Sequence, residues 1–221
     1  MATFEVQVEG LTGIALDGSS TPTQTELSYF LQDGVKDVVT RMAEVNPLET
    51  PRFTTTTNST SSVAKVGTII SVVREHDSTT ILRPCAPISP LDRYEATDQD
   101  SLKFRSKFNP GYYELNGSIF CVPTPNDASN NDIVVTQLFF DTGVAYGDEV
   151  PDNFPEQYAY LVTIYASIKV LEAKMADYTI TEEDYELATS TQLSITKLQK
   201  QYDAAFGVLN KKQQPQQAQG G

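Results

Sequence analysis

The stretch Asn153–Asp177, NFPEQYAYLVTIYASIKVLEAKMAD, decides the reading of this chain. Asn153 can cap a helix, Pro155 suits its first turn, and Glu156 completes an N-x-x-E signal. Tyr158, Leu161, Val162, Tyr165, Ile168 and Leu171 follow at helical spacing and cover more than one side. A helix that is apolar over most of its girth must be enclosed by partners. Ala159, Ala166 and Ala173 recur every seven residues, a small-residue seam on which another helix can pack closely. Nothing in the segment is catalytic.

Two more helices are expected around it. Thr23-Gln24-Thr25-Glu26 is a capping box, and Leu27, Phe30, Leu31, Val35, Val38, Val39 and Met42 then form one apolar face. Gly34 sits on that face, where a neighbour can approach. Pro47 ends this helix near Val45. Downstream, Tyr178-Thr179-Ile180 reads as a break, and Thr181-Glu182-Glu183-Asp184 reads as the cap of a third helix. Leu187, Thr191, Ile195, Leu198, Tyr202 and Ala205 line its apolar face. Lys197, Lys200, Lys211 and Lys212 favour its C-terminal end.

Between the helices the period drops to two. Val66 to Arg74 alternates and is rich in β-branched residues, and Thr79 to Leu82 can pair back with it. Leu102 to Phe108 (LKFRSKF) alternates sharply, and Ile133 to Phe140 reads as a closing strand. Tyr112 to Val122 flanks Asn116-Gly117, the pair a type I′ hairpin turn prefers. Residues 50–64 read as a polar loop. Residues 1–20, with Phe4, Val6 and Val8 followed by Gly10, Gly13 and Gly18, read as a short strand or extended arm. The fold class is therefore α+β. A three-helix bundle is expected from residues 1–49 and 151–210, with an antiparallel β-rich lobe inserted at 50–150 and a flexible tail at 211–221.

Composition narrows the function. Sixteen Lys and Arg against 29 Asp and Glu give a net charge of -13. A sequence-reading DNA binder needs clustered cations for phosphate contacts and is disfavoured. An acidic wall would instead let a polyanion slide past. No apolar run approaches the roughly 20 residues that span a bilayer. MATFEVQVEG lacks the basic and apolar segments of a signal peptide, so assembly in a cytosol-like compartment is expected. Cys85 and Cys121, the only cysteines, read as buried thiols.

Catalytic and metal-binding patterns are missing. His76 is the lone histidine, and Asp98-Gln99-Asp100 lacks the glycine and terminal Glu of a calcium loop. There is no phosphate-cradling Gly-rich loop and no nucleophile elbow. No metal, no cofactor and no enzymatic activity are expected. Tyr112-Tyr113 and Phe139-Phe140 read as core or interface aromatics.

ELSYFLQDGVKDVVTRM resembles the opening helix of head-to-tail connector proteins of tailed bacteriophages. The late F-P-x-x-Y-x-Y-L-V-x-x-Y-A-x-I-K segment, followed by LEAKMADY, is similar to their second helical portion. The resemblance covers about residues 23–48 and 153–206. It implies an adaptor, gatekeeper or neck protein of the virion, assembled in the host cytoplasm into a ring, commonly of twelve copies. The partners implied are the portal protein, a downstream tail ring or nozzle protein, and DNA passing without sequence-specific contact; no membrane is involved. Family adaptors tuck a C-terminal segment into the portal. The matching stretch starts at Gly207, Val208, Leu209, Asn210, Lys211, Lys212, Gln213 and Gln214. Tyr112, Tyr113, Asn116 and Gly117 of the β-lobe would face the tail.

Other readings stay open at this point. A stopper or a six-membered tail-terminator ring shares the structural class, because ring size depends on interface angle. A soluble binding module would use Tyr112, Tyr113 and Phe120 as a platform for a carbohydrate or peptide. An acid/base hydrolase lacks a suggestive carboxylate pair.

Overall fold

The computed structural model describes residues 2–76, 81–125, 131–181 and 183–211, and side chains as far as residue 209. It is mixed α+β, with four helices and two sheets among the described residues. The chain forms two compact units, one from residues 1–53 and 140–221, the other from 54–139.

The helical unit is built on α3 (Ala159–Ile180), against which α1 (Phe4–Thr12), α2 (Gln24–Val45) and α4 (Tyr185–Lys211) pack. The apolar girth of α3 explains this arrangement. Leu161, Val162, Ala166, Ile168, Val170 and Leu171 are all buried. Each fully buried Val or Leu contributes about 1.5–3 kcal/mol. Between α2 and α3 the approach is close. A Cβ on Gly34 would lie 3.1 Å from Tyr165 Cδ1 and 3.4 Å from Val162 Cγ1. The α2 cap forms as its sequence dictates. Thr23 Oγ1 accepts from Glu26 N, and Glu26 Oε2 accepts from Thr23 N at 2.7 Å.

Several details of the helical unit differ from expectation. Residues 4–12 are helical, not extended, because the two buried side chains, Phe4 and Val8, are spaced by four, while Val6 points outward. Residues 140–150, expected in the lobe, belong with the helices. They satisfy the orphan donors at the start of α1: Phe4 N donates to Asp148 O at 2.8 Å and Glu5 N to Tyr146 O at 3.0 Å. Asn153 does not cap α3. Its φ is +53°, and a 3-10 turn at Glu156–Tyr158 leads into the helix. Tyr178-Thr179-Ile180 is the last turn of α3, not a break. The α4 cap is Asp184, whose Oδ1 accepts from Leu187 N at 3.0 Å.

The β-lobe holds two four-stranded sheets. Strands β1 (Thr54–Ser59), β3 (Ile69–Glu75), β4 (Leu82–Pro84) and β8 (Ile133–Leu138) form an antiparallel sheet in the order β1-β8-β3-β4. Strands β2 (Ser62–Ala64), β5 (Ala86–Pro87), β6 (Gly111–Leu115) and β7 (Ser118–Val122) form the second, in the order β2-β7-β6-β5. The lobe is not wholly antiparallel, since β5 runs parallel to β6. Val72, Ile133 and Val135 of one sheet meet Val63, Ile119 and Cys121 of the other in a single buried cluster. Gln137 is buried but satisfied. Its Nε2 donates to Ala64 O at 2.9 Å and its Oε1 accepts from Val66 N at 3.0 Å.

The hairpin at Asn116-Gly117 forms as expected, with φ of +50° and +71°. The polar stretch 50–64 is not a loop. Thr54–Ser59 pairs residue by residue with β8, and Ser62–Ala64 pairs with β7. LKFRSKF is not a strand: its backbone makes turns, with one bridge between Ser106 and Asn109, and Leu102 and Phe108 are exposed. Of the expected return strand, Thr79 lies outside the described residues, and the pairing with β3 begins at Leu82.

Candidate functional site

The first candidate surface is a groove on the helical unit. It measures about 440 Å³ and is walled by Val6, Gly10 and Leu11 of α1 and by Tyr160 and Ile164 of α3. Val6 is 55% exposed and Leu11 47%, so the apolar walls meet solvent. Thr163 forms the floor, donating to Gln7 Oε1 at 3.1 Å. A second apolar strip lies on α4, where Leu193 and Ala204 flank Thr196, Lys197 and Lys200. Leu193 is 70% exposed.

Inward, α4 is held by a polar and aromatic cluster. Tyr202 Oη donates to Asp37 Oδ2 at 2.6 Å, and Arg41 Nε reaches the same oxygen at 2.9 Å. The Arg41 guanidinium lies over the Tyr202 ring at 5.1 Å. Burial, reinforced by the hydrogen bond to Asp37, pushes the Tyr202 hydroxyl well above the usual tyrosine range.

In the β-lobe, Arg74 is the unusual residue. It follows Val72 by two positions on β3 and so shares its inward face. It is only 4% exposed. Nε and Nη1 have no hydrogen-bond partner, and Nη2 reaches Thr124 O only at 3.5 Å. Directly opposite it on β4 stands Arg83, whose Nε is also buried without a partner. Leaving a buried charge uncompensated costs about 3–5 kcal/mol. Arg74 borders a cavity of about 610 Å³, shared with Phe104, Arg105, Ser106, Lys107 and Thr124.

Cys85 and Cys121 are free thiols with their Sγ atoms 3.7 Å apart. The hydrogen bond to Cys121 and then burial push the Cys85 thiol far up.

The residues singled out from sequence distribute as follows. Ala159 and Ala166 are buried in the helical unit, and Ala173 is half-buried. Tyr113 stacks on Phe120 with centroids 5.3 Å apart, while Tyr112, one residue earlier, packs against the lobe's core. The three aromatics therefore do not share a face. Asn116 and Gly117 form the hairpin tip beside them. Gly207, Val208, Leu209, Asn210 and Lys211 continue α4 and are not a separate tail; Lys212, Gln213 and Gln214 lie outside the described residues. His76 sits against the Phe108 ring at 4.7 Å. Asp98 Oδ1 accepts from Asp100 N at 3.1 Å, which makes a turn. Among the described residues, no group of three or more His, Cys, Asp or Glu could hold a metal ion. No helix among them is long and apolar enough to cross a membrane.

The α1 groove, the α4 strip and the Arg74 cavity were missed by sequence reasoning. The signal for Arg74 was present, since period two carries it inward with Val72. The groove had no such signal, because it depends on α1 being helical. No protein-family model matches the chain, and no curated protein matches it.

Proposed function

We propose that this chain is a structural ring subunit of the head-to-tail connector of a tailed bacteriophage, joining the portal to the tail around the DNA passage. The observation that carries this reading is the presence of two unlike uncovered apolar surfaces on the helical unit, the α1 groove and the α4 strip. A ring is closed by heterologous contacts, in which each copy offers one surface to one neighbour and a different surface to the other. The α4 strip of one copy fills the α1 groove of the next. The net charge of -13 fits a wall past which DNA slides without adhering.

The test is cryo-electron microscopy of the native particle, repeated with copies carrying both Val6→Asp and Leu11→Asp. Both side chains are solvent-exposed, so the variant keeps its circular dichroism spectrum but is excluded from the ring. Localisation of the chain away from the neck refutes the reading. So does a ring of normal occupancy built from variant copies.

A further inference from the structure

The Arg74 cavity lies within the β-lobe and has no part in the ring contacts proposed above. Its chemistry runs against that of the whole molecule. The chain is strongly acidic, yet the described residues bordering this cavity include Arg74 and Arg105 and no carboxylate. The buried guanidinium of Arg74 has Nε and Nη1 unpartnered and a single contact at the limit of hydrogen bonding. Arg83 stands opposite it on β4 and Ile133 on β8, so neither cross-strand partner offers a counter-charge. Among the described residues, no hydrogen-bonded or cavity-lining carboxylate supplies a counter-charge for this buried cation. Arg105 makes no ion pair with a described residue and borders the same space.

We propose that this cavity binds a small phosphate monoester, with the phosphoryl group held by Arg74 and Arg105 and the organic part against Phe104. Two guanidinium groups match a dianion in charge. Ser106 and Thr124 line the same cavity and bring hydroxyl donors for a third oxygen, which a planar carboxylate does not have. The cavity, at about 610 Å³, is large enough for a phosphoryl group with an aromatic or sugar-sized substituent. Filling it supplies the charge that Arg74 lacks.

The experiment titrates the full chain with phenyl phosphate, inorganic phosphate and benzoate at constant ionic strength, read by backbone amide NMR and calorimetry. Phenyl phosphate is expected to bind at least tenfold more tightly than inorganic phosphate, with shifts confined to residues around Thr97, Arg105–Lys107 and Thr124. Benzoate is expected not to saturate. Arg74→Gln risks the fold, so the deciding variant is Arg105→Gln, which changes a half-buried residue at the cavity wall. It should weaken phenyl phosphate at least tenfold while leaving the melting temperature of the free chain unchanged. The proposal is overturned if benzoate binds as well as phenyl phosphate, if shifts appear away from the cavity, or if Arg105→Gln leaves the affinity unaltered.

Discussion

Replacing Tyr202 by Phe removes one oxygen from the contact between α2 and α4 and leaves the ring in place. The lost bond is short, 2.6 Å to Asp37 Oδ2, and its acceptor is charged. Hydrogen bonds to charged groups are worth about 1.5–3 kcal/mol. Asp37 keeps Arg41 Nε at 2.9 Å after the substitution, so its carboxylate is not stranded. The ring keeps its edge contact with Phe206 at 5.1 Å. The cost at pH 7 should therefore sit at the low end, about 1.5 kcal/mol. Alkaline pH provides an internal check. Burial and Asp37 raise the Tyr202 pKa in the folded chain, whereas the unfolded chain releases this proton near pH 10. Above that pH the folded state binds more protons than the unfolded one, so stability falls as pH rises. The contribution of Tyr202 is complete below about pH 10 and is lost above it. At pH 10.5 the difference between wild type and Tyr202→Phe should shrink by about 0.8 kcal/mol, the free energy of ionising an unfolded tyrosine there. The assay is urea unfolding followed by helical circular dichroism at pH 7 and pH 10.5. Tyr158 and Tyr165 are also raised, chiefly by burial, but are present in both proteins and cancel. A cost under about 0.5 kcal/mol at pH 7, or a difference that does not narrow at pH 10.5, would refute the reasoning.

Three further outcomes are expected. Ala166→Leu overpacks a fully buried position on α3 and should cost about 1–3 kcal/mol; an unchanged melting curve would remove the seam argument. Gly117→Val forces a β-branched residue to φ +71° and should cost about 1–2 kcal/mol, with faster amide exchange across Tyr112–Val122; unaltered exchange there would count against it. Cys121 shares the pair's proton and is shifted down but is only 2% exposed, while the half-buried Cys85 thiol is raised; a disulfide reagent at pH 8 should therefore react with the folded chain more than tenfold more slowly than with the chain in urea, and equal rates would contradict the buried pair.

Local signals were legible where one residue type has one geometric use. Thr23 and Glu26 announced the start of α2, and Asn116-Gly117 announced the hairpin, because few other residues satisfy those backbones. Spacing misled where two periods coincide. Phe4, Val6 and Val8 fit an alternating strand, but burial selects only Phe4 and Val8 and makes a helical turn. LKFRSKF alternates as cleanly as any strand, yet among the described residues no strand pairs with it, and its apolar side chains stay exposed. The reverse holds for Thr54–Ser59, a polar strand at the edge of its sheet, where backbone pairing to β8 decides and side chains say little. The Arg74 cavity was hidden for another reason: its walls come from segments distant in sequence, and only the sandwich brings them together.

The pairing of β1 with β8 has a consequence for how the molecule is made. Thr54 and Leu138 are Cα partners, so the lobe leaves its parent unit and returns to it at neighbouring points. Before the lobe folds, α2 and α3 are tethered by roughly 110 residues; once it has closed, the path between them is about 30 residues long. The entropic saving is about 1 kcal/mol, available to the bundle only once the sheet has closed. The same closure makes the lobe a cassette. A short glycine bridge from Phe53 to Phe140 could replace it, and evolution could exchange it for another insert without redrawing the helices.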